Sequence, residues 1–149
     1  MTLNWTCNAF SSLTPESLYA IMQLRNEVFV VEQQCVYQDA DDKDAVSWHL
    51  TGWDGNKLVA YARIIPPGIS FETSSIGRVV TSPAYRKTGA GRALMQRAIE
   101  FAFNQFNTSS ICIGAQLYLL HFYQSLGFTP CSEEFLEDGI PHIEMLLHK

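Results

Sequence analysis

The stretch "SPAYRKTGAGRAL", Ser82 to Leu94, gathers Arg86, Lys87 and Arg92, three of the chain's ten basic residues, around two glycines, in a chain of formal net charge −5. It follows the apolar run "IGRVVT" and opens "GRALMQRAIEFAFNQF", where Leu94, Ala98, Ile99, Ala102, Phe103 and Phe106 recur at helical spacing. The backbone N–H groups of residues 87–92 are therefore expected around the first turn of a helix. Unpaired donors and the positive end of the helix dipole make an anion site there. Gly89 and Gly91 let the main chain approach a bound group closely. Three cations at a helix start are unfavourable by about 0.3–1 kcal/mol each unless negative charge arrives. Neither common phosphate loop explains the stretch. G-x-x-x-x-G-K-[ST] is absent, Leu94 stands where a dinucleotide fingerprint needs its third glycine, and "SICIGAQ" downstream ends without an acidic residue.

Working outward, "LNWTCNAF" reads as an opening strand, and "SSLTPESLYAIMQLRNEVFVVEQ" as a helix with Thr14 as N-cap and Pro15 in its first turn. Leu18, Ile21, Met22, Arg25, Val28 and Phe29 share one face of that helix. "VSWHLTGWDGNKLVAYARIIP" predicts a hairpin turning at Asp54-Gly55-Asn56. "PPGISFETSS" reads as a loop, "SSIGRVVTS" and "SICIGAQ" as strands, and "LYLLHFYQSLGF" as a short helix closed by Gly127. Closing strands are expected around "FTPCSEE" and "PHIEMLLH". The result is an α/β protein with one central sheet.

At 149 residues, 47% hydrophobic and 17% charged, the chain suits one domain, residues 1–149, with a real core. The negative charge argues against nucleic acid as a partner. No apolar run of about 18 residues predicts a membrane span, and "MTLNWTCNAF" lacks a secretory pattern, so a cytoplasmic protein is expected. Cys7, Cys35, Cys112 and Cys131 show no metal-binding spacing and are expected as small core residues, with no metal; Cys35 is the candidate for a reactive thiol.

"RVVTSPAYRKTGAGRALM" resembles the acyl-CoA pyrophosphate loop of the GNAT superfamily of N-acetyltransferases, [RQ]-x-x-G-x-[GA] after a strand, and "FYQSLGF" about thirty residues on resembles that superfamily's second motif. "LRNEVFVVEQQCVYQDADDKD", "YARIIP", "IGRVV" and "EDGIPHIEM" are most similar to its ElaA-like branch. The resemblance implies the GNAT fold, a mixed central sheet of about seven strands flanked by about four helices and splayed between strands 4 and 5. It implies acetyl-CoA as acetyl donor and a small-molecule or peptide amine as acceptor, attacked directly in a ternary complex, and it allows a homodimer.

The resemblance assigns the pantetheine arm to Val79 and Thr81, the oxyanion to a backbone N–H near Val79 or Val80, and the pyrophosphate to Arg86, Lys87, Thr88, Gly89, Ala90, Gly91 and Arg92. Tyr123 matches the tyrosine that protonates the departing sulfur, and Gln116, standing where many relatives carry Asn, is the candidate to hydrogen-bond the pantetheine. The alternative within the same fold is a module that binds acyl-CoA without transfer. An alkylammonium acceptor must lose a proton, for which Glu32, Asp41, Asp42, His49, Glu137 and His142 are the candidates. The acid-rich "DADDKD" reads as a solvated loop that would favour a cationic acceptor. Arg25 and Arg63 are expected either to bind an acceptor carboxylate or to pair with those acids.

Overall fold

A computed structural model describes residues 2–149. The hairpin forms where the D-G turn requires it. β2 (Trp48–Asp54) pairs antiparallel with β3 (Lys57–Ile65), Asp54 opposite Lys57, and Gly55 takes φ +60° at the first turn position. β1 (Asn4–Ala9) adds to the free edge of β2, and β4 (Ser75–Thr81) to that of β3, giving the order β1-β2-β3-β4.

β5 (Ser110–Gln116) and the later strands build a second antiparallel sheet, in which the long β8 (Ile140–His148) takes β5 on one edge and both β6 (Thr129–Pro130) and β7 (Phe135–Glu137) on the other. The single central sheet read from the sequence is thus two four-stranded sheets. They meet at one parallel bridge, Ser74 to Ile111, with Cys112 N–H donating to Ser74 O at 3.0 Å. Beyond it β4 and β5 splay apart, at the predicted place.

β3 is buried on both faces from Leu58 to Ile65 because helices cover both. On one side α1 (Pro15–Arg25) sets Ile21 and Leu24 against Leu58, Tyr61 and Val80. On the other, α2 (Ala90–Phe106) sets Leu94, Met95, Ala98 and Ala102 against Ala60, Ala62 and Ile64. That burial, at about 25 cal/mol per Å² of apolar surface, is what holds the layers together. α3 (Leu120–Ser125) follows β5 and buries Tyr123, while Gly127 takes φ +101° just after it.

Three α-helices are present among the described residues, one fewer than the resemblance implied. The first is also shorter than its sequence pattern. Thr14 caps it as read, accepting from Ser17 N–H at 3.0 Å, but from Asn26 to Glu32 the chain widens into a π-helical turn. Val28, Val30 and Val31 crowd that segment with β-branched side chains that fit an α-helix poorly. No helix among the described residues is long and apolar enough to cross a membrane.

Candidate active site

Past the Ser74 bridge, β4 keeps β3 as its partner on one edge, while its other edge, toward β5, is unpaired among the described residues. The β3–β4 register slips between Tyr61 opposite Val80 and Arg63 opposite Gly77, so Arg78 and Val79 together oppose Ala62. Arg78 takes φ +50° in this bulge. Ser82 N–H points at β3, donating to Val59 O at 2.7 Å, so by strand alternation the N–H and C=O of Thr81, and of Val79 before it, face the gap.

The opening stretch then turns into α2. After a short turn at Pro83–Tyr85, residues Arg86 to Gly89 are exposed, with Lys87 at φ +63° and Gly89 at φ +88°. Gly89 O accepts the first helical bond from Ala93 N–H at 3.1 Å, and no side chain caps the helix. The N–H groups of Ala90, Gly91 and Arg92 therefore have no acceptor within the helix and sit at the positive end of its dipole. Two hydrogen bonds brace the loop, Thr88 Oγ1 to Tyr85 O and Tyr85 hydroxyl to Asp54 Oδ2, both 2.6 Å. A Cβ on Gly91 would lie 4.0 Å from both Phe122 and Thr81, which shows how closely α2, β4 and α3 converge at the mouth of the gap.

Tyr123 is 5% exposed, its ring edge-on to Phe122 at 5.2 Å and to Phe128 at 5.9 Å. Burial pushes its phenol well above the ordinary tyrosine range, which keeps the proton on the oxygen. Arg92 donates to Ser125 Oγ at 2.7 Å and lies over the Phe122 ring, tying the loop to α3.

The last residue of the π-helical turn, Glu32, and the one after it, Gln33, bridge the gap. Glu32 accepts from both terminal nitrogens of Arg86, and the guanidinium holds that exposed carboxyl below its usual range. Gln33 exchanges amide hydrogen bonds of 3.1 and 3.2 Å with Gln116 on the β5 side. Gln116 in turn lies opposite His142 on β8. His142 Nδ1 is 2.7 Å from Ile140 O; a carbonyl only accepts, so Nδ1 carries the hydrogen and the lone pair of the neutral ring is on Nε2, 3.5 Å from Glu137 Oε2. Cys35 is 9% exposed and donates its S–H to Asp138 O at 3.3 Å.

Of the remaining candidates, all but Asp42 lie in a buried network. The "DADDKD" segment, read as a solvated loop, is instead drawn under the first sheet by three arginines. Arg25, fully buried, bonds Asp39 Oδ2 through Nε at 2.8 Å and Asp44 Oδ1 through Nη1 at 2.7 Å. Arg63 forks onto Asp41 at 2.7 and 2.8 Å and reaches Asp44 at 3.0 Å. Arg78 approaches Asp39 Oδ1 at 2.8 Å, close but poorly aligned for a hydrogen bond, and donates to Asp39 O at 3.1 Å. Three guanidinium and three carboxylate groups balance. Arg25 and Arg63 thus pair with the acids, the second of their two expected roles, while Asp42 stays exposed.

Burial opposes the charge on Asp41 and Asp44, yet the Arg63 contact holds Asp41 far below the carboxylate range and the Arg25 contact lowers Asp44. His49 is fully buried with both nitrogens engaged, Nε2–H donating to Asp44 O at 2.9 Å and Nδ1 accepting from the Tyr61 hydroxyl at 2.7 Å. Burial lowers its pKa, so it supports the Asp44 segment as a neutral ring.

A pH dependence follows. The folded chain resists protonating His49, so stability should fall as pH drops below about 6.5, where the unfolded imidazole takes up a proton. A second loss should set in below about 3.9, as unfolded carboxylates protonate while Asp41 and Asp44 do not. Thermal melts from pH 8 to 4 check the first step, and a flat Tm between pH 7 and 5 would contradict it.

Reading residues singly gave no signal for Gln33, Arg78, Asp39 or Asp44, whose partners lie far away in sequence or whose acids looked like loop chemistry. A family model described as an acetyltransferase (GNAT) domain matches residues 11–149. Protein ElaA of Escherichia coli strain K12 is 43% identical over 145 residues, covering 96% of this chain and 95% of that one. The crystal structure of Escherichia coli ElaA superposes with a TM-score of 0.93 at 42% identity, over 99% of this chain and 100% of that one. A crystal structure of an acyl-CoA N-acyltransferase from Pseudomonas aeruginosa gives 0.93 at 42% identity, over 98% and 99%. With its two sheets splayed beside an uncapped helix start and these likenesses spanning nearly its full length, the chain belongs to the GNAT acetyltransferase superfamily and is ElaA-like.

Proposed function

We propose that the protein transfers an acetyl group from acetyl-CoA to a primary amine. The observation that carries this reading is the unpaired edge of β4 opening beside the uncapped N-terminus of α2. The donor would supply a thioester whose carbonyl carbon takes the amine and whose sulfur leaves.

The chain's own groups suit each requirement. Main-chain groups of Val79 and Thr81 face the gap and can hold the amide-bearing arm as an added strand would be held. The free N–H groups of residues 90–92, with the side chains of Arg86, Lys87 and Thr88 on the exposed loop, suit the pyrophosphate. Arg86 would then answer to the phosphate as well as to Glu32, whose ion pair at an exposed site is weak. A backbone N–H in the Val79–Val80 bulge can face the developing oxyanion. Tyr123, kept protonated by burial, gives its proton to the departing thiolate, and His142 Nε2 takes the amine's proton, with Glu137 beside it to stabilise the imidazolium. The C–N bond forms as the C–S bond breaks, with no covalent enzyme intermediate.

The acidic residues Glu137 and Glu32 at the two sides of the gap favour a cationic acceptor such as a polyamine or a lysine-like side chain. Mixing the purified protein with acetyl-CoA and a panel of polyamines, amino acids and peptides should release free thiol with at least one amine. Silence across the panel, with acetyl-CoA binding demonstrated by calorimetry, would refute the transfer reading.

A further inference from the structure

The second sheet carries a cluster for which acyl transfer has no use. Ile111, Ile113 and Ala115 of β5 face the core, so Cys112 and Gly114 point to the opposite side, and the register brings Glu144 of β8 onto that same side opposite Gly114. The chain leaving β6 adds Cys131. Its N–H donates to Glu144 O at 2.9 Å, and Glu144 N–H donates to Ser132 Oγ at 2.9 Å, which fastens the segment along β8. The two sulfurs and a Glu144 carboxylate oxygen all lie within 4.8 Å of one another, although the residues come from three separate stretches. Both thiols are free, Cys112 buried against the sheet and Cys131 exposed. The cluster has a rigid floor and an open side.

We propose that Cys112, Cys131 and Glu144 form a binding site for a thiophilic divalent cation of the zinc class. Two thiolates with one carboxylate suit a borderline-soft ion; calcium and magnesium would want oxygen donors. Tetrahedral ligands around zinc stand about 3.3–3.8 Å apart, so the cluster needs to contract by at most about 1.5 Å, which rotation of the exposed Cys131 side chain supplies. A water fills the fourth position. Binding one cation releases one proton from each thiol, M²⁺ + 2 RSH giving M(SR)₂ + 2 H⁺, while the Glu144 carboxylate adds its charge without a proton change. Each thiol must give up its proton to the incoming cation, so affinity climbs with pH. Cys112 stands four residues before Gln116 on β5 and Glu144 two after His142 on β8, so an occupied site braces the strands that carry the inner wall of the gap.

The test uses the full chain, metal-free and reduced, titrated with Cd²⁺ and in parallel with Zn²⁺. One equivalent should bind, with a thiolate-to-cadmium charge-transfer band in the ultraviolet, and Zn²⁺ should raise Tm. Cys131→Ser, at an exposed position where the metal-free Tm should hold, should weaken binding by more than about 10²-fold and abolish the rise in Tm. Glu144→Gln should weaken it by about 10-fold while the band persists. No band in the natural chain, or a band and stoichiometry unchanged in Cys131→Ser, as cadmium on Cys7 or Cys35 would produce, overturns the proposal.

Discussion

Tyr123→Phe is expected to lower kcat for acetyl transfer by about 10²–10⁴-fold, the range for loss of a positioned general acid, while leaving acetyl-CoA affinity nearly unchanged. The expectation rests on separating the ring from the hydroxyl. Phe keeps the edge-on packing against Phe122 and Phe128, so the melting temperature should barely move. What is lost is the one proton that burial holds on the oxygen at neutral pH. Steady-state thiol release and calorimetry with acetyl-CoA read the two quantities independently. Unchanged turnover would make Tyr123 a packing residue; loss of affinity and turnover together would make it part of the binding wall. A natural chain that binds acetyl-CoA and releases no thiol would return the reading to an acyl-CoA-binding module.

Asp44→Asn should destabilise the fold by about 3–5 kcal/mol, the cost of breaking a buried ion pair from one side. One carboxylate oxygen of Asp44 accepts from both Arg25 and Arg63, and its carbonyl accepts from His49, so a single residue ties α1, β2 and β3 to the segment beneath them. Asparagine preserves the shape and removes the charge, leaving two buried guanidinium groups sharing Asp39 and Asp41. Against a total stability of about 5–15 kcal/mol the loss is large. It should lower Tm by about 6–20 °C. Asp42→Asn, two residues away and exposed, should stay within about 0.5 kcal/mol. Urea denaturation of both variants is the measurement, and equal stabilities would show that the network does not hold the segment.

The contrast between Asp42 and Asp44 also marks how far the sequence is legible. The hairpin at Gly55, the Thr14 cap, the amphipathic α2 and the closing turn at Gly127 were readable because each depends on interactions within a few residues, where spacing and side-chain type suffice. The glycine-bearing loop was readable for the same reason, since the uncapped N–H groups at its helix start belong to its own backbone. The acids of residues 39–44 were not. A run of aspartates looks solvated until Arg25, Arg63 and Arg78, on three different elements, are seen to converge on it. His49 and Glu32 were equally open as proton acceptors by type alone. The fold separated them by burying one with both ring nitrogens occupied and binding the other to Arg86.

From the sequence by itself came the family, the order of elements and the position of the loop, because local periodicity and motif spacing are written along one dimension. The tertiary structure alone decided that the sheet divides in two and that the end of the π-helical turn, with Gln33 just past it, reaches across the gap. It alone decided that three arginines neutralise three aspartates under the first sheet, and that Cys112, Cys131 and Glu144 share a face of the second. Each is a juxtaposition of residues far apart in the chain. Side chains as short as a cysteine or an aspartate can meet only after backbone pairing has set which strands lie side by side and in what register.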